Sequence, residues 1–94
     1  MTQASQPSEV RAALFLDRDG TVIRDVGYLS EPDGVELLDG AKDALHRVCR
    51  SHRLYLFTNQ SGIGRGYFTL EQAQAVNARM MALLALPPPG FAAV

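Results

Sequence analysis

Ala12-Ala13-Leu14-Phe15-Leu16-Asp17-Arg18-Asp19-Gly20-Thr21-Val22 is the stretch whose reading decides the fold. It opens on an uninterrupted apolar run, which suits a strand buried on both faces of a parallel α/β sheet. The run stops at Asp17, and the Asp19-Gly20 pair that follows is turn-forming. The strand therefore delivers two carboxylates, two residues apart, to its own carboxyl end. In open parallel sheets that edge is where ligands bind.

Working outward, residues 24–40 hold Gly27, Pro32, Gly34 and Gly40 and read as an irregular excursion. The period then changes. Ala41, Ala44, Leu45, Val48 and Cys49 recur on one face of a helix, with Asp39 as its N-cap. Leu54-Tyr55-Leu56-Phe57-Thr58 is a second apolar run of strand length. Residues 12–58 thus predict a right-handed parallel βαβ crossover, with Asp17 and Thr58 at one sheet edge. Residues 59–66 contain Gly62, Gly64 and Gly66 and read as a loop. Thr69-Leu70-Glu71-Gln72 matches a capping box. The helix it starts carries Leu70, Ala73, Val76, Met80, Leu83 and Leu84 on one side and stops before Pro87-Pro88-Pro89.

The chain has 94 residues, 47% hydrophobic and 20% charged, so one domain at most with a small core is expected. A net charge of -1 gives no argument for a nucleic-acid or membrane partner. The lone Cys49 excludes an internal disulfide and fits a reducing compartment. Residues 1–10 read as a disordered polar leader without the apolar segment of a secretory signal. The most apolar stretch, residues 80–86, is far short of the ~20 residues that span a bilayer. A cytoplasmic location is the expectation.

Paired carboxylates at a strand end suit phosphoryl transfer. One can attack phosphorus, and the other can protonate the leaving oxygen and then deprotonate water. Two carboxylates and a dianionic substrate repel one another, so a cation is needed, and Mg²⁺ suits oxygen ligands and phosphate. Taken alone, Asp-x-Asp-Gly reads equally well as a polar turn or a calcium-loop fragment.

Phe15-Leu16-Asp17-Arg18-Asp19-Gly20-Thr21-Val22 resembles motif I of the haloacid dehalogenase superfamily, and Thr58 at the end of the second run resembles motif II. The longer string Phe57-Thr58-Asn59-Gln60-Ser61-Gly62-Ile63-Gly64-Arg65-Gly66 is similar to the heptose-bisphosphate phosphatase and histidinol-phosphatase subgroup. Gly27-Tyr28-Leu29 and Leu38-Asp39-Gly40-Ala41 fit the same pattern. The resemblance implies a Rossmannoid three-layer α/β fold with a parallel sheet. It implies a Mg²⁺-dependent phosphatase acting on a small phosphorylated sugar or metabolite through an aspartyl-phosphate. Asp17 would be the nucleophile and a metal ligand. Asp19 would be the general acid/base, with its backbone carbonyl on the metal. Thr58 and Asn59 would hold the phosphoryl group, and Gln60, Ser61 and Arg65 would shape the substrate pocket. Arg18 would matter through its backbone rather than its side chain.

The sequence departs from that family in three ways. Its only lysine is Lys42, in the crossover helix, where the family has a phosphate-neutralising lysine later in the chain. No Asp or Glu follows Glu71 to complete a Mg²⁺ site. The Cys/His loop that holds structural Zn²⁺ in the heptose subgroup is absent. Residues 11–86 are therefore read as the N-terminal part of a hydrolase domain, truncated after the second core strand and its helix. Residues 87–94 are read as an atypical Pro-rich tail. A chain of this kind alone is expected to be at best weakly active, and a non-catalytic fragment is the competing reading. Histidinol phosphate is the alternative substrate.

Three blander features stand beside these. Gly62-Ile63-Gly64-Arg65-Gly66 lacks the Gly-Lys-Ser/Thr ending of a P-loop. His46, Cys49 and His52 fan out around a helix rather than converge on a metal, and structural roles are expected. A phosphoacceptor domain of the receiver type is disfavoured, because receivers carry the acidic pair on a different strand from the acceptor.

Overall fold

The computed structural model describes residues 12–58 and 61–93. The expected leader, together with Asn59 and Gln60, lies outside the described residues. Strand β1 spans Ala12–Asp17 and a 3-10 turn spans Pro32–Gly34. Helix α1 spans Ala41–Val48 and strand β2 His52–Phe57. The short helix α2 covers Ser61–Gly64, α3 covers Leu70–Leu84, and β3 covers Phe91–Ala93.

The sheet order is β1-β2-β3 and both pairings are parallel. β1 and β2 run in register from Ala12 opposite His52 to Asp17 opposite Phe57. The ladder continues past the strand ends, where Arg18 N–H donates to the Phe57 carbonyl at 2.9 Å. The predicted parallel βαβ arrangement is therefore present. The tail read as atypical contributes β3, whose Phe91 pairs with Leu54.

One expectation about β1 is overturned. The apolar run is not buried on both faces. Leu54 and Leu56 are buried, and Leu14 and Leu16 pack against the same core. The alternate residues Phe15 and Phe57 are 59% and 56% exposed. Because strand side chains alternate, one sheet face carries the core and the other carries a row of aromatic rings. Both long helices contribute to that single core, α1 through Leu45 and α3 through Val76, Met80 and Leu84.

The segment from 18 to 38 is more ordered than an irregular excursion. Arg18 carbonyl accepts from Val22 N–H at 2.9 Å and Ile23 N–H at 3.1 Å, folding the chain back after the strand. Gly20 takes a positive φ of 82° in this turn, a conformation that strains a residue with a Cβ. Ile23, fully buried, then bridges antiparallel to Leu37. Leu38 N–H closes the loop on the Val22 carbonyl at 3.0 Å.

The helices follow their local signals with small shifts. α1 is capped by Gly40 in the left-handed region, not by Asp39. Ala44 is exposed, leaving Leu45 as the buried anchor. At α3 the capping box forms as predicted. Thr69 Oγ1 accepts from Gln72 N–H at 3.1 Å, and Thr69 N–H donates to Gln72 Oε1 at 2.8 Å. Leu70 and Met81 are exposed, so the buried stripe starts at Ala73. Among the described residues, no helix is long and apolar enough to cross a membrane.

Candidate functional site

An open cleft of about 410 Å³ sits at the carboxyl end of β1. Asp17, Arg18 and Asp19 form its floor, with Asp25, Tyr28 and Phe68 among its walls. Asp17 arrives there because β1 ends on it, opposite Phe57. Thr58 follows Phe57 directly, so the two motifs read from the sequence meet at adjacent strand ends. Asp19 arrives because the turn that starts at Arg18 reverses the chain.

The side chain of Arg18 is the feature that sequence reasoning missed. It is 5% exposed, and its guanidinium grips the neighbouring carboxylate. Nε donates to Asp19 Oδ2 at 3.2 Å, and Nη2 reaches Oδ1 at 3.1 Å and Oδ2 at 3.0 Å. Nη1 donates to Asn77 Oδ1, from the buried face of α3, at 2.9 Å. A usable signal did exist for Asn77. It falls at helical spacing between Ala73, Met80 and Leu84, so a polar residue sits in an apolar phase and needs a buried partner.

The wall opposite the carboxylates is built by close packing. Tyr28 and Tyr67 have ring centroids 4.5 Å apart, and Tyr28 and Phe68 6.4 Å. Gly62, in α2, makes this possible. A Cβ there would run into Phe68 and would come within 2.7 Å of Tyr28. Within the stretch expected to be a loop, Ser61–Gly64 thus form a helical turn. Tyr67 N–H closes it on the Gly62 carbonyl at 2.8 Å. Arg65, exposed, donates through Nη1 to the Tyr28 hydroxyl at 3.2 Å, which places it at the rim of the cleft. Tyr28 is thus part of the cleft lining. Ser61 opens α2.

Three carboxylates, Asp17, Asp19 and Asp25, line the cleft beside one guanidinium. Asp25 Oδ1 is engaged by Gly27 N–H at 3.0 Å. The balance is acidic, and a dianionic phosphate would need a cation to enter it. Among the described residues no three His, Cys, Asp or Glu side chains cluster as a metal site. Mg²⁺, however, commonly takes one or two protein carboxylates and completes its shell with waters and substrate phosphate. The Asp19–Ile23 bridge uses Gly20 N–H and the Arg18 carbonyl, leaving the Asp19 carbonyl outside it. An Asp17 carboxylate in the cleft and a backbone carbonyl are oxygen donors of the type that ion prefers.

Lys42 lies elsewhere, on the exposed side of α1 beside Asp43, His46, Arg47 and Arg50. The three residues with metal-like spacing have structural contacts. His46 Nε2 meets the Leu84 carbonyl at 2.7 Å, Cys49 Sγ donates to the His46 carbonyl, and His52 Nδ1 pairs with Ser51 Oγ.

No family model matches the chain. It is 51% identical over 61 residues to the D-glycero-beta-D-manno-heptose-1,7-bisphosphate 7-phosphatase of Haemophilus influenzae, covering 64% of this chain and 33% of that protein. Its fold is similar to that of a HAD-like phosphatase of Mesorhizobium loti, with a TM-score of 0.75 and 42% identity over 80% of this chain and 36% of that one. It is likewise similar to the D,D-heptose 1,7-bisphosphate phosphatase from B. bronchiseptica, solved with magnesium and phosphate. There the TM-score is 0.73 and the identity 34%, over 79% of this chain and 42% of that one. The chain spans about a third of the length of the curated relatives it matches. The resemblance to haloacid dehalogenase-type phosphatases, and the α/β fold that it implied, are both borne out.

Proposed function

We propose that this chain, similar in sequence and fold to haloacid dehalogenase-type phosphatases, carries the nucleophile-bearing part of a Mg²⁺-dependent phosphatase for a small phosphorylated sugar. A heptose bisphosphate is the substrate favoured by the names of the relatives. The observation that carries the reading is the register that sets Asp17 opposite Phe57, so that Thr58 follows at the same sheet edge, where Asp17, Asp19 and Phe57 line a cleft.

In this scheme an Asp17 carboxylate oxygen attacks phosphorus and forms an O–P bond as the bond to the sugar oxygen breaks. The leaving oxygen takes a proton from Asp19. Asp19 then accepts a proton from water, which attacks phosphorus. The Asp17–phosphoryl bond breaks and inorganic phosphate is released. Thr58, with Asn59 beside it, orients the phosphoryl oxygens. Arg65 and Tyr28 sit at the rim, where a guanidinium suits a polar or phosphorylated sugar. Mg²⁺, held by the Asp17 carboxylate and the Asp19 carbonyl, would offset the charge of the phosphoryl group.

The phosphate mimic beryllium fluoride tests the nucleophile directly. With Mg²⁺ present, the chain should acquire an aspartate-bound fluoroberyllate visible by fluorine NMR, and Asp17→Asn should acquire none. Retained labelling in Asp17→Asn would remove Asp17 from the role.

One observation favours a second reading, that the chain alone does not turn over. Its only lysine lies on α1, outside the cleft. Labelling by fluoroberyllate without measurable hydrolysis would support it.

A further inference from the structure

We infer that Asn77 is a positioning residue for Asp19, acting through the Arg18 side chain. The inference rests on Asp19 being the acid/base of the proposed reaction.

The geometry is a relay from α3 into the cleft. Asn77 is 8% exposed on an otherwise apolar stripe. Its Oδ1 takes Nη1 of Arg18 at 2.9 Å, and Nε and Nη2 of the same guanidinium take both oxygens of Asp19. A guanidinium is planar, so fixing one nitrogen fixes the plane in which the other two present their donors. Arg18 and Asp19 are neighbours in the chain, and their pairing alone would leave both free to turn together. Asn77 supplies the third point. It ties the pair to a helix whose Val76, Met80 and Leu84 lie in the core. The fork then holds the Asp19 carboxylate in one orientation in the cleft that Asp17 also lines.

A general acid must meet the leaving oxygen within hydrogen-bond reach, so its rotamer is part of its function. If Asn77 only satisfied a buried charge, its loss would lower stability and leave the Asp19 rotamer unchanged. The two roles give different outcomes.

The first measurement needs no catalysis. In the wild-type chain, the Hα–Hβ couplings of Asp19 should report one rotamer and Arg18 Nε–H should exchange slowly. In Asn77→Leu the couplings should average and exchange should accelerate. Asn77→Asp, which keeps an acceptor oxygen at the same reach, should restore both. Asn77→Ser serves in place of the leucine variant if the latter does not fold. A folded Asn77→Leu or Asn77→Ser with a single Asp19 rotamer would overturn the inference.

The second measurement is turnover with Mg²⁺ of an alkyl phosphate, whose leaving oxygen needs a proton. Asn77→Leu should lower kcat about 10- to 100-fold with KM little changed, as expected for a misplaced reacting group. Asn77→Asp should recover most of it. A rise in KM at unchanged kcat would also overturn the inference. A wild-type chain that takes no fluoroberyllate label would count against the proposed function, and the rotamer measurement would still decide the role of Asn77.

Discussion

Phe15 and Tyr55 stand opposite one another on adjacent parallel strands, with ring centroids 4.9 Å apart and planes inclined by 18°, on the sheet face turned away from the core. Phe57 extends the stack, 5.8 Å from Phe15. The pair belongs to the same strands as Leu54 and Leu56, yet it meets solvent where they meet α1 and α3.

That difference in surroundings predicts a difference in energy. Phe15→Thr keeps a residue suited to a strand and removes only a partly exposed stack, so its cost should be at most about 1 kcal/mol. Leu54→Ala opens a cavity in the core and should cost about 2–5 kcal/mol. Urea unfolding of the two variants checks the contrast. Equal costs would mean that the aromatic face is covered in solution.

Gly62 predicts a packing effect at the cleft. A methyl group there must displace Phe68 or Tyr28, whose rings form the cleft wall. Gly62→Ala should destabilise by about 1–3 kcal/mol, the range for overpacking, despite the better helix propensity of alanine. A denaturation midpoint at or above the wild-type value would contradict the close approach. The Arg65–Tyr28 contact should loosen in the same variant, raising KM for a phosphorylated sugar.

At the start of α3, Thr69 and Gln72 exchange two hydrogen bonds. Thr69→Ala removes the acceptor for Gln72 N–H and should cost about 1 kcal/mol. Thr69→Ser keeps the oxygen and should cost nothing at the cap, because serine caps at least as well as threonine. Comparable losses in both would show that the methyl group, not the cap, is what matters.

This cap was legible in the sequence because its parts lie three residues apart. β1, β2 and the pairing of Asp17 with the Thr58 edge were legible for a similar reason, since apolar runs and the charges that end them are local patterns. The side-chain role of Arg18 was not. Its partner Asn77 is 59 positions away, and nothing near Arg18 announces it. The exposure of Phe15 was hidden as well, because an apolar run does not say which of its faces another element covers. Gly40 replaced Asp39 as the cap of α1 because the chain turns through a positive φ there, which glycine adopts without strain. The meaning of Gly62 needed the fold too. Its neighbours Tyr28 and Phe68 come from opposite sides of α2 in the chain and meet only in the folded protein.

Asp17 and Asp19 carry different roles in the proposed chemistry, and the difference is measurable. Asp19→Asn keeps the shape and an acceptor oxygen, so Arg18 Nη2 retains a partner and the fold should hold. The amide has no proton to exchange with the leaving oxygen or with water. The Asp19 carbonyl, through which the proposed scheme would hold Mg²⁺, is untouched by the change. Fluoroberyllate labelling of Asp17 should therefore survive in Asp19→Asn, while turnover should fall by about 10²–10⁴-fold, the range attributed to acid–base catalysis. The loss should also depend on the leaving group. An activated aryl phosphate, whose phenoxide leaves without a proton, should be hydrolysed with a smaller deficit than an alkyl phosphate. Equal deficits for the two substrates would place Asp19 outside proton transfer to the leaving oxygen. Loss of labelling would place it among the groups that bind the phosphoryl moiety or the metal.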